Sequence, residues 1–304
     1  MFKNLTLYRF TFAPVIDLEL FESSRFAPCG LTQEKSTGWT PPRGNLHDPL
    51  MEIVGGQIIL KLMVESKKVP AEVLDRLVTE KCKAIEAQTG RKVGRKETKE
   101  IKEEAKLELL PMAFAARKST WVWIDRAAGL VAVGAASQGA ADEVLTLLHH
   151  SINGIHLTPL KTQAAPAGAM SAWLLDQYAP PGFSIDRECE LKATDDSKAV
   201  VRYSNHSLDL VEIQEHIGSG KVPTRVAMTW EGRVSFVLTD NLVLKKIAFL
   251  EGVLDGSSAA DVKDDRFDAD VAIATGELSK LIPDLIEALG GEVVLQAAAE
   301  EVAA

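Results

Sequence analysis

The alternation of apolar and polar positions is plain at the start of the chain, where Leu5 and Leu7 sit between polar neighbours as in a half-covered strand. Val15-Ile16-Asp17-Leu18-Glu19-Leu20 continues the two-residue period and predicts more strand. From Gly38 to Gly44 the chain is rich in Pro and Gly. The pair Pro41-Pro42 forbids helix there and predicts a turn region. Gly56-Gln57-Ile58-Ile59-Leu60-Lys61-Leu62-Met63-Val64 mixes alternation with a continuous apolar run, as expected of a strand in a largely covered sheet.

The period changes after Pro70, a residue suited to a helix's first turn. Val73, Leu74, Leu77, Val78, Cys82 and Ile85 recur at the spacing of one buried helical face. Thr89-Gly90 through Gly94 is a break. A second helix is predicted from Arg95 to Leu110, with Ile101, Ala105 and Leu109 on a narrow apolar stripe, and Pro111 interrupts it. Two helices joined by a short glycine-bearing turn form a hairpin, here expected to project from the sheet. Its thin stripe needs another surface for stability.

Trp121-Val122-Trp123-Ile124-Asp125 and Leu130-Val131-Ala132-Val133 predict paired strands around the turn Arg126 to Gly129. Ala140 to His150 is a helix with Val144, Leu147 and Leu148 inward, and Thr162 to Ala169 is the linker candidate. Beyond it come a helix near Met170–Tyr178 and strands at Glu188–Lys192, Ala199–Tyr203, Arg225–Trp230, Arg233–Leu238 and Leu242–Phe249. Leu210–Ile217 is a helix, Glu231-Gly232 is a hairpin turn, and Leu278–Leu289 is an amphipathic helix ended by Gly290-Gly291. The fold class is α+β, mostly antiparallel sheets with packed helices and a protruding helical hairpin. Its expected organisation is a central sheet domain over 1–68 and 119–161, the hairpin arm over 69–118, a C-terminal α+β domain over 170–296, and a frayed tail over 297–304.

Composition narrows the class of protein. A 46% hydrophobic and 25% charged chain of 304 residues is ordinary for a globular protein of two or three compact units. It has no apolar run of about 18 residues and no secretory leader, which leads us to expect a cytoplasmic protein without membrane partners. Cys29, Cys82 and Cys189 are far apart and odd in number, so buried free thiols are expected rather than disulfides or a thiolate metal site. The net charge of −9 means that any polyanion partner must be met by a local patch.

The strongest charge feature runs from Lys81 to Lys118. Lys99, Lys102 and Lys106 interleave with Glu97, Glu100, Glu103, Glu104 and Glu108, the pattern of a solvated helix face paired along the helix. The turn before it holds Arg91, Lys92, Arg95 and Lys96 with no acid among them, which suits phosphate oxygens without base reading. Arg117, Lys118, Lys221 and Arg225 are further candidate phosphate contacts. Phe114 follows Pro111 and precedes Arg117-Lys118; its type alone predicts core packing. His149-His150 at a helix end complements the helix dipole, with no further ligand at metal spacing. Asp261, Asp264, Asp265, Asp268 and Asp270 lack the central glycine and terminal glutamate of a calcium loop. There is no phosphate-binding loop, dinucleotide fingerprint or serine-nucleophile elbow, which favours a binding protein that is not an enzyme and uses no cofactor.

Ordered blocks span nearly the whole chain: Phe2-Lys3-Asn4-Leu5, Tyr8-Arg9, Phe26-Ala27-Pro28-Cys29-Gly30, Gly38-Trp39-Thr40-Pro41-Pro42, Gly56-Gln57-Ile58, Leu109-Leu110-Pro111-Met112-Ala113-Phe114, and Arg266-Phe267-Asp268 through Thr275-Gly276-Glu277-Leu278 to Gly290-Gly291-Glu292. In order and spacing the chain resembles the bacterial recombination-associated RdgC family. The resemblance implies a nucleoid-associated homodimer of two crescent-shaped subunits that meet at both ends. The ring would enclose double-stranded DNA without sequence preference and antagonise RecA-type recombinase filaments. It assigns Phe114 to dimer closure and DNA binding, and implies a basic lining for the hole. Two departures stand out. Met112 occupies a position where the family often has a base, and Ser204-Asn205-His206 replaces a segment richer in lysine and glutamine. The competing classes are a metal-dependent nuclease using the acids from Asp261 to Asp270, and a protein-only regulator that binds the recombinase through its helical hairpin.

Overall fold

The computed structural model describes residues 1–10, 18–208, 211–253 and 263–293. Its strands are β1 (Thr6–Phe10), β2 (Lys35–Trp39), β3 (Met51–Val54), β4 (Gln57–Lys67), β5 (Ala115–Asp125), β6 (Leu130–Val133), β7 (Leu157–Pro159), β8 (Phe183–Ala193), β9 (Val200–Ser204), β10 (Lys221–Trp230), β11 (Val234–Thr239) and β12 (Leu244–Phe249). Its helices are α1 (Leu18–Ser23), α2 (Ala71–Thr89), α3 (Arg95–Leu109), α4 (Gln138–Ser151), α5 (Pro166–Asp176), α6 (Val211–Gly218) and α7 (Lys263–Ala288). The architecture is α+β with antiparallel sheets. Two compact units divide the chain. Unit 1 takes the described residues of Met1–Asp17, Met51–Leu60 and Trp121–Ala304, and unit 2 takes Leu18–Leu50 and Lys61–Thr120.

Unit 1 holds two sheets. In the first, β1 pairs with β6 from Thr6↔Val133 to Arg9↔Leu130 and with β7 from Tyr8↔Pro159 to Phe10↔Leu157. Leu7 and Tyr8 are both buried, so this strand is covered on both faces although its sequence alternates. The second sheet has the order β12-β11-β10-β8-β9. The start of the chain ties the two together. The Leu5 N–H donates to Leu244 O at 2.8 Å, the Leu244 N–H returns to Leu5 O at 3.0 Å, and the Ile247 N–H donates to Lys3 O at 2.9 Å. Between β10 and β11, Glu231 and Gly232 take φ of 49° and 63°, the positive values that match a hairpin turn to the twist of its strands.

Helix α7 closes the core of unit 1. Val271, Leu278, Leu281, Ile282 and Leu285, with Ala274 between the first two, recur at three- and four-residue spacing and are all buried. Each contributes about 1.5–3 kcal/mol of burial. The helix begins at Lys263, well before the expected Leu278, because Val271 and Ala274 extend the same stripe. The Ala/Pro-rich segment after β7 is pinned to the far end of this helix: the Gln163 N–H donates to Gly291 O and the Ala164 N–H to Leu289 O, both at 2.9 Å.

In unit 2, β2 pairs with the second half of β4 from Lys35↔Ser66 to Trp39↔Leu62. Gly38 is required there, because a Cβ would fall 2.4 Å from the Phe26 Cα. The same approach lets the Phe26 N–H donate to Trp39 O, while Trp39 itself is buried and stacked on Phe21 at 5.2 Å. The helical hairpin has its own small core, in which Leu74, Val78, Ile101 and Ala105 are buried. This is the stripe the sequence predicts.

Several expectations are corrected. Leu18–Leu20 belong to helix α1, not a strand, and Val15–Asp17 lie outside the described residues. Gly38 and Trp39 end a strand, so the turn region begins at Thr40. Among the cysteines only Cys189 is buried, where desolvation pushes its pKa up to about 12; Cys29 and Cys82 are half-buried. The expected frayed tail, 297–304, lies outside the described residues. No described helix is long and apolar enough to cross a membrane.

Candidate nucleic-acid interface

The turn between α2 and α3 is built by Gly90, which caps α2 at φ 70° with its N–H on Glu86 O. Arg91, Lys92, Arg95 and Lys96 are all exposed on it. Arg91 is nevertheless neutralised. Its Nη1 and Nη2 donate to Glu97 Oε2 and Oε1 at 2.8 and 3.0 Å. This pairing raises the Arg91 pKa and holds the Glu97 carboxyl below the usual range, in each case chiefly through that hydrogen bond. Lys92, Arg95 and Lys96 form no ion pair among the described residues. The turn therefore carries three uncompensated cations, one fewer than its sequence implies.

Along α3 the ion pairs run across the hairpin and not along the helix. Lys81 Nζ reaches Glu108 at 2.6 Å, Lys102 Nζ reaches Asp75 at 3.1 Å, and Lys106 Nζ reaches Glu34 at 2.6 Å. Pairing three or four residues apart, as the sequence predicts, is not what the described residues of α3 show. These contacts staple α3 to α2 and to the residue before β2, which supplies the extra surface that its thin apolar stripe requires.

After a 3-10 turn at Leu110–Met112 the chain enters β5. Leu110 is fully buried and anchors this corner, yet Phe114 is 95% exposed and Met112 70%. Core packing, the expectation from residue type, does not hold for Phe114. The next five residues, Ala115 to Ser119, are all exposed, so the first half of β5 is open on both faces. Arg117 and Lys118 point to opposite sides of it. Arg117 Nε donates to the buried Glu65 Oε2 at 2.6 Å, with the guanidinium over the Phe26 ring at 5.5 Å. Glu65 also accepts the Cys29 N–H at 2.7 Å. Lys118 has no ion-pair partner among the described residues. The 15 residues of α3, about 22 Å at ~1.5 Å per residue, separate the hairpin turn from this region. The hairpin turn and the start of β5 are thus two separate cationic surfaces of unit 2.

Lys221 and Arg225 lie on β10 of unit 1, on either side of a bulge between Pro223 and Arg225. Lys221 Nζ is 3.3 Å from His216 Nδ1 and 3.4 Å from Ser219 Oγ, and its charge helps to lower the pKa of Asp195, which is held down first by the hydrogen bond from the Ser197 side chain. Arg225 Nη1 is 3.8 Å from Glu190 Oε2, and Arg202 takes that carboxylate more tightly at 2.7 Å. The segment after β9 turns through Asn205 at φ 54°, which brings the His206 ring to 6.2 Å from Tyr203. His149 and His150 are exposed in the last turn of α4. Of the acid run, Asp261 lies outside the described residues, while Asp268 and Asp270 lie on α7. No group of three metal-binding side chains occurs among the described residues.

By fold this is an antiparallel α+β protein whose candidate cations sit on turns and strands, with an exposed aromatic beside one set. The chain belongs to the RdgC family: residues 1–292 match the family model described as "Putative exonuclease, RdgC". It is 44% identical to the recombination-associated protein RdgC of Dechloromonas aromatica, over 96% of this chain and 98% of that one. The proteins of the same name from Herminiimonas arsenicoxydans and Cupriavidus necator are 42% and 43% identical, with the same shares covered.

Proposed function

We propose that this protein binds double-stranded DNA without sequence preference, as a homodimer that closes around the duplex and restrains RecA-type filaments on the nucleoid. The observation that carries the reading is Phe114, which is 95% exposed and stands at the head of a strand whose next five residues are open on both faces. A large apolar ring left in water beside Met112, and followed by Arg117 and Lys118, is the composition of a contact surface. Membership of a family whose relatives are named recombination-associated gives that surface its context.

The physical logic is one of topology and local charge. A closed ring holds duplex with few contacts, so a protein of net charge −9 needs only a cationic lining. Lys92, Arg95, Lys96, Lys118, Lys221 and Arg225 are the proposed sources of that lining. Arg91 and Arg117 contribute less, because each is held by a carboxylate at 2.8 and 2.6 Å, whereas Arg225 meets Glu190 only at 3.8 Å. Occupancy alone blocks a recombinase from loading or exchanging strands, with no catalytic step and no cofactor.

Competition binding tests the reading. A labelled duplex challenged with unrelated duplexes of equal length should give nearly equal affinities. A preference on the order of a thousandfold for one sequence, the scale of site-specific binders, would overturn it.

A further inference from the structure

Unit 1 carries a cationic cleft that the candidate residues touch only at one point. It is a cavity of about 590 Å³ between the start of α4 and the strands β8, β10 and β12, and Lys192, Arg225 and Lys245 line it from three strands. Lys192 and Lys245 have no ion-pair partner among the described residues. Two acids also line the cleft, and neither answers these lysines. Asp240 accepts Asn241 Nδ2 at 3.0 Å. Glu190 is taken by Arg202 Nε at 2.7 Å and by Thr224 Oγ1 at 2.7 Å. Burial pushes the Glu190 pKa up, but these donors and the nearby Arg225 more than offset it, so the group stays ionised below the usual range.

The opposite wall adds donors. Ser137 stands at the extended N-cap of α4, its side chain makes no cap hydrogen bond, and the first turn of the helix holds no acid. The cleft therefore combines three strand cations with the positive end of a 14-residue helix, and of its two acids Glu190 is held by Arg202, by Thr224 and, at 3.8 Å, by Arg225, while Asp240 bonds to Asn241. The lining holds three cations and two carboxylates, a net of one positive charge, and Arg225 already shares Glu190, so it is the two lysines that gain a counter-ion when an anion joins them. A tetrahedral oxyanion with several acceptor oxygens meets lysine, guanidinium and backbone N–H donors at once.

We propose that this cleft is a phosphate-binding site, and that its occupant is a backbone phosphodiester of duplex DNA. The inference deepens the DNA-binding reading and rests on it. It adds Lys192 and Lys245 to the contact surface and gives Arg225 a defined role as the third donor to one phosphate.

Two variants of the full chain test it by salt-titrated binding to a duplex. Lys192→Gln combined with Lys245→Gln should weaken binding and make the dependence of log affinity on log salt shallower by about one unit, the change expected when one phosphate is no longer neutralised. Ser137→Asp should keep the melting temperature level or raise it, since aspartate is a good N-cap and complements the helix dipole. Because it places a carboxylate in the cleft, it should also weaken DNA binding. Opposite movements of stability and affinity are the signature expected. An unchanged slope and affinity in both variants, with wild type still binding duplex, would overturn the cleft and leave the DNA reading standing. Failure of the wild type to bind duplex would overturn both. Inorganic pyrophosphate, added without DNA, separates the sources. Saturable binding that disappears in the lysine variant while duplex affinity is unchanged would show that the cleft serves a free phosphate compound, against the proposal.

Discussion

Arg117 and Glu65 form an ion pair with one half in water and the other out of it: the nitrogen and oxygen are 2.6 Å apart, yet the arginine side chain is 55% exposed and the glutamate 3%. Only the outer partner is able to trade its carboxylate for another anion. Glu65, holding both Arg117 and the Cys29 N–H, fixes the base from which the open half of β5 projects.

That geometry sets a pH dependence. The Glu65 carboxyl is held below the usual range first by Arg117 and then by the Cys29 N–H, with burial opposing them. A carboxyl with a depressed folded pKa contributes stability that is fully present above its unfolded value, near pH ~4.3, and is lost as pH falls through the folded value. Thermal melts should show wild type losing stability below about that pH, with a smaller acid-induced loss in Glu65→Gln. Arg117→Gln should lower the melting temperature at neutral pH, because it leaves a buried carboxylate without its cation. Identical acid profiles for wild type and Glu65→Gln would show that the pair does not set this dependence.

Phe114→Ser should reduce duplex affinity while the melting temperature changes little. Removal of a 95% exposed ring leaves no cavity, and surface substitutions of this kind shift stability by about 0.5 kcal/mol or less. Parallel binding and melting measurements check it. Unfolding of the variant would mean that the ring packs in solution, contrary to the structure.

The hairpin turn separates into paired and unpaired charge. Replacing Lys92, Arg95 and Lys96 with Gln should flatten the salt dependence of DNA binding by roughly one unit of slope for each phosphate no longer neutralised, whereas Arg91→Gln alone should change it less. Melting temperatures should barely move, since exposed charges contribute little to stability. A triple variant with the wild-type slope would place this turn away from the DNA.

Arg233, in the turn before β11, donates to Glu277 of α7 through two hydrogen bonds of 2.7 and 2.6 Å, and Glu277 is buried. The Glu277 pKa is lowered, chiefly by Arg233. Arg233→Ala leaves that carboxylate unsatisfied, at a cost of roughly 1–3 kcal/mol. Urea unfolding should register the loss with little change in the denaturant slope. Unchanged stability would mean that water replaces the guanidinium.

Long periodic segments were legible from the residues alone. In the stripe from Leu74 to Ile85, Leu74 and Val78 are buried and Leu77, Cys82 and Ile85 pack half-buried against them, while Val122–Asp125 and Leu130–Val133 are buried throughout. Short elements were not. Leu18–Ser23 is six residues, too few for a helical period to outweigh a chance alternation. Ala115–Ser119 is strand held by its neighbours, with neither face apolar, so no pattern marks it. Among the site residues, the pairing of Arg91 with Glu97 spans a turn, outside the three- and four-residue rule of a continuous helix. Phe114 shows the other limit. Residue type predicts burial, and only the path of the chain around Leu110 leaves the ring in water. Lys192 and Lys245 lie 53 positions apart and meet only through sheet order, so no linear motif announces their cleft.

Non-catalytic enclosure of duplex DNA is tested by a gel-shift titration on linear and circular duplexes of equal length, with and without magnesium. Both forms should be bound and recovered intact under all conditions, with slower release from the circle because a circular duplex offers a closed ring no end to leave by. Magnesium-dependent cutting of either form, or an absence of binding to both, would contradict it.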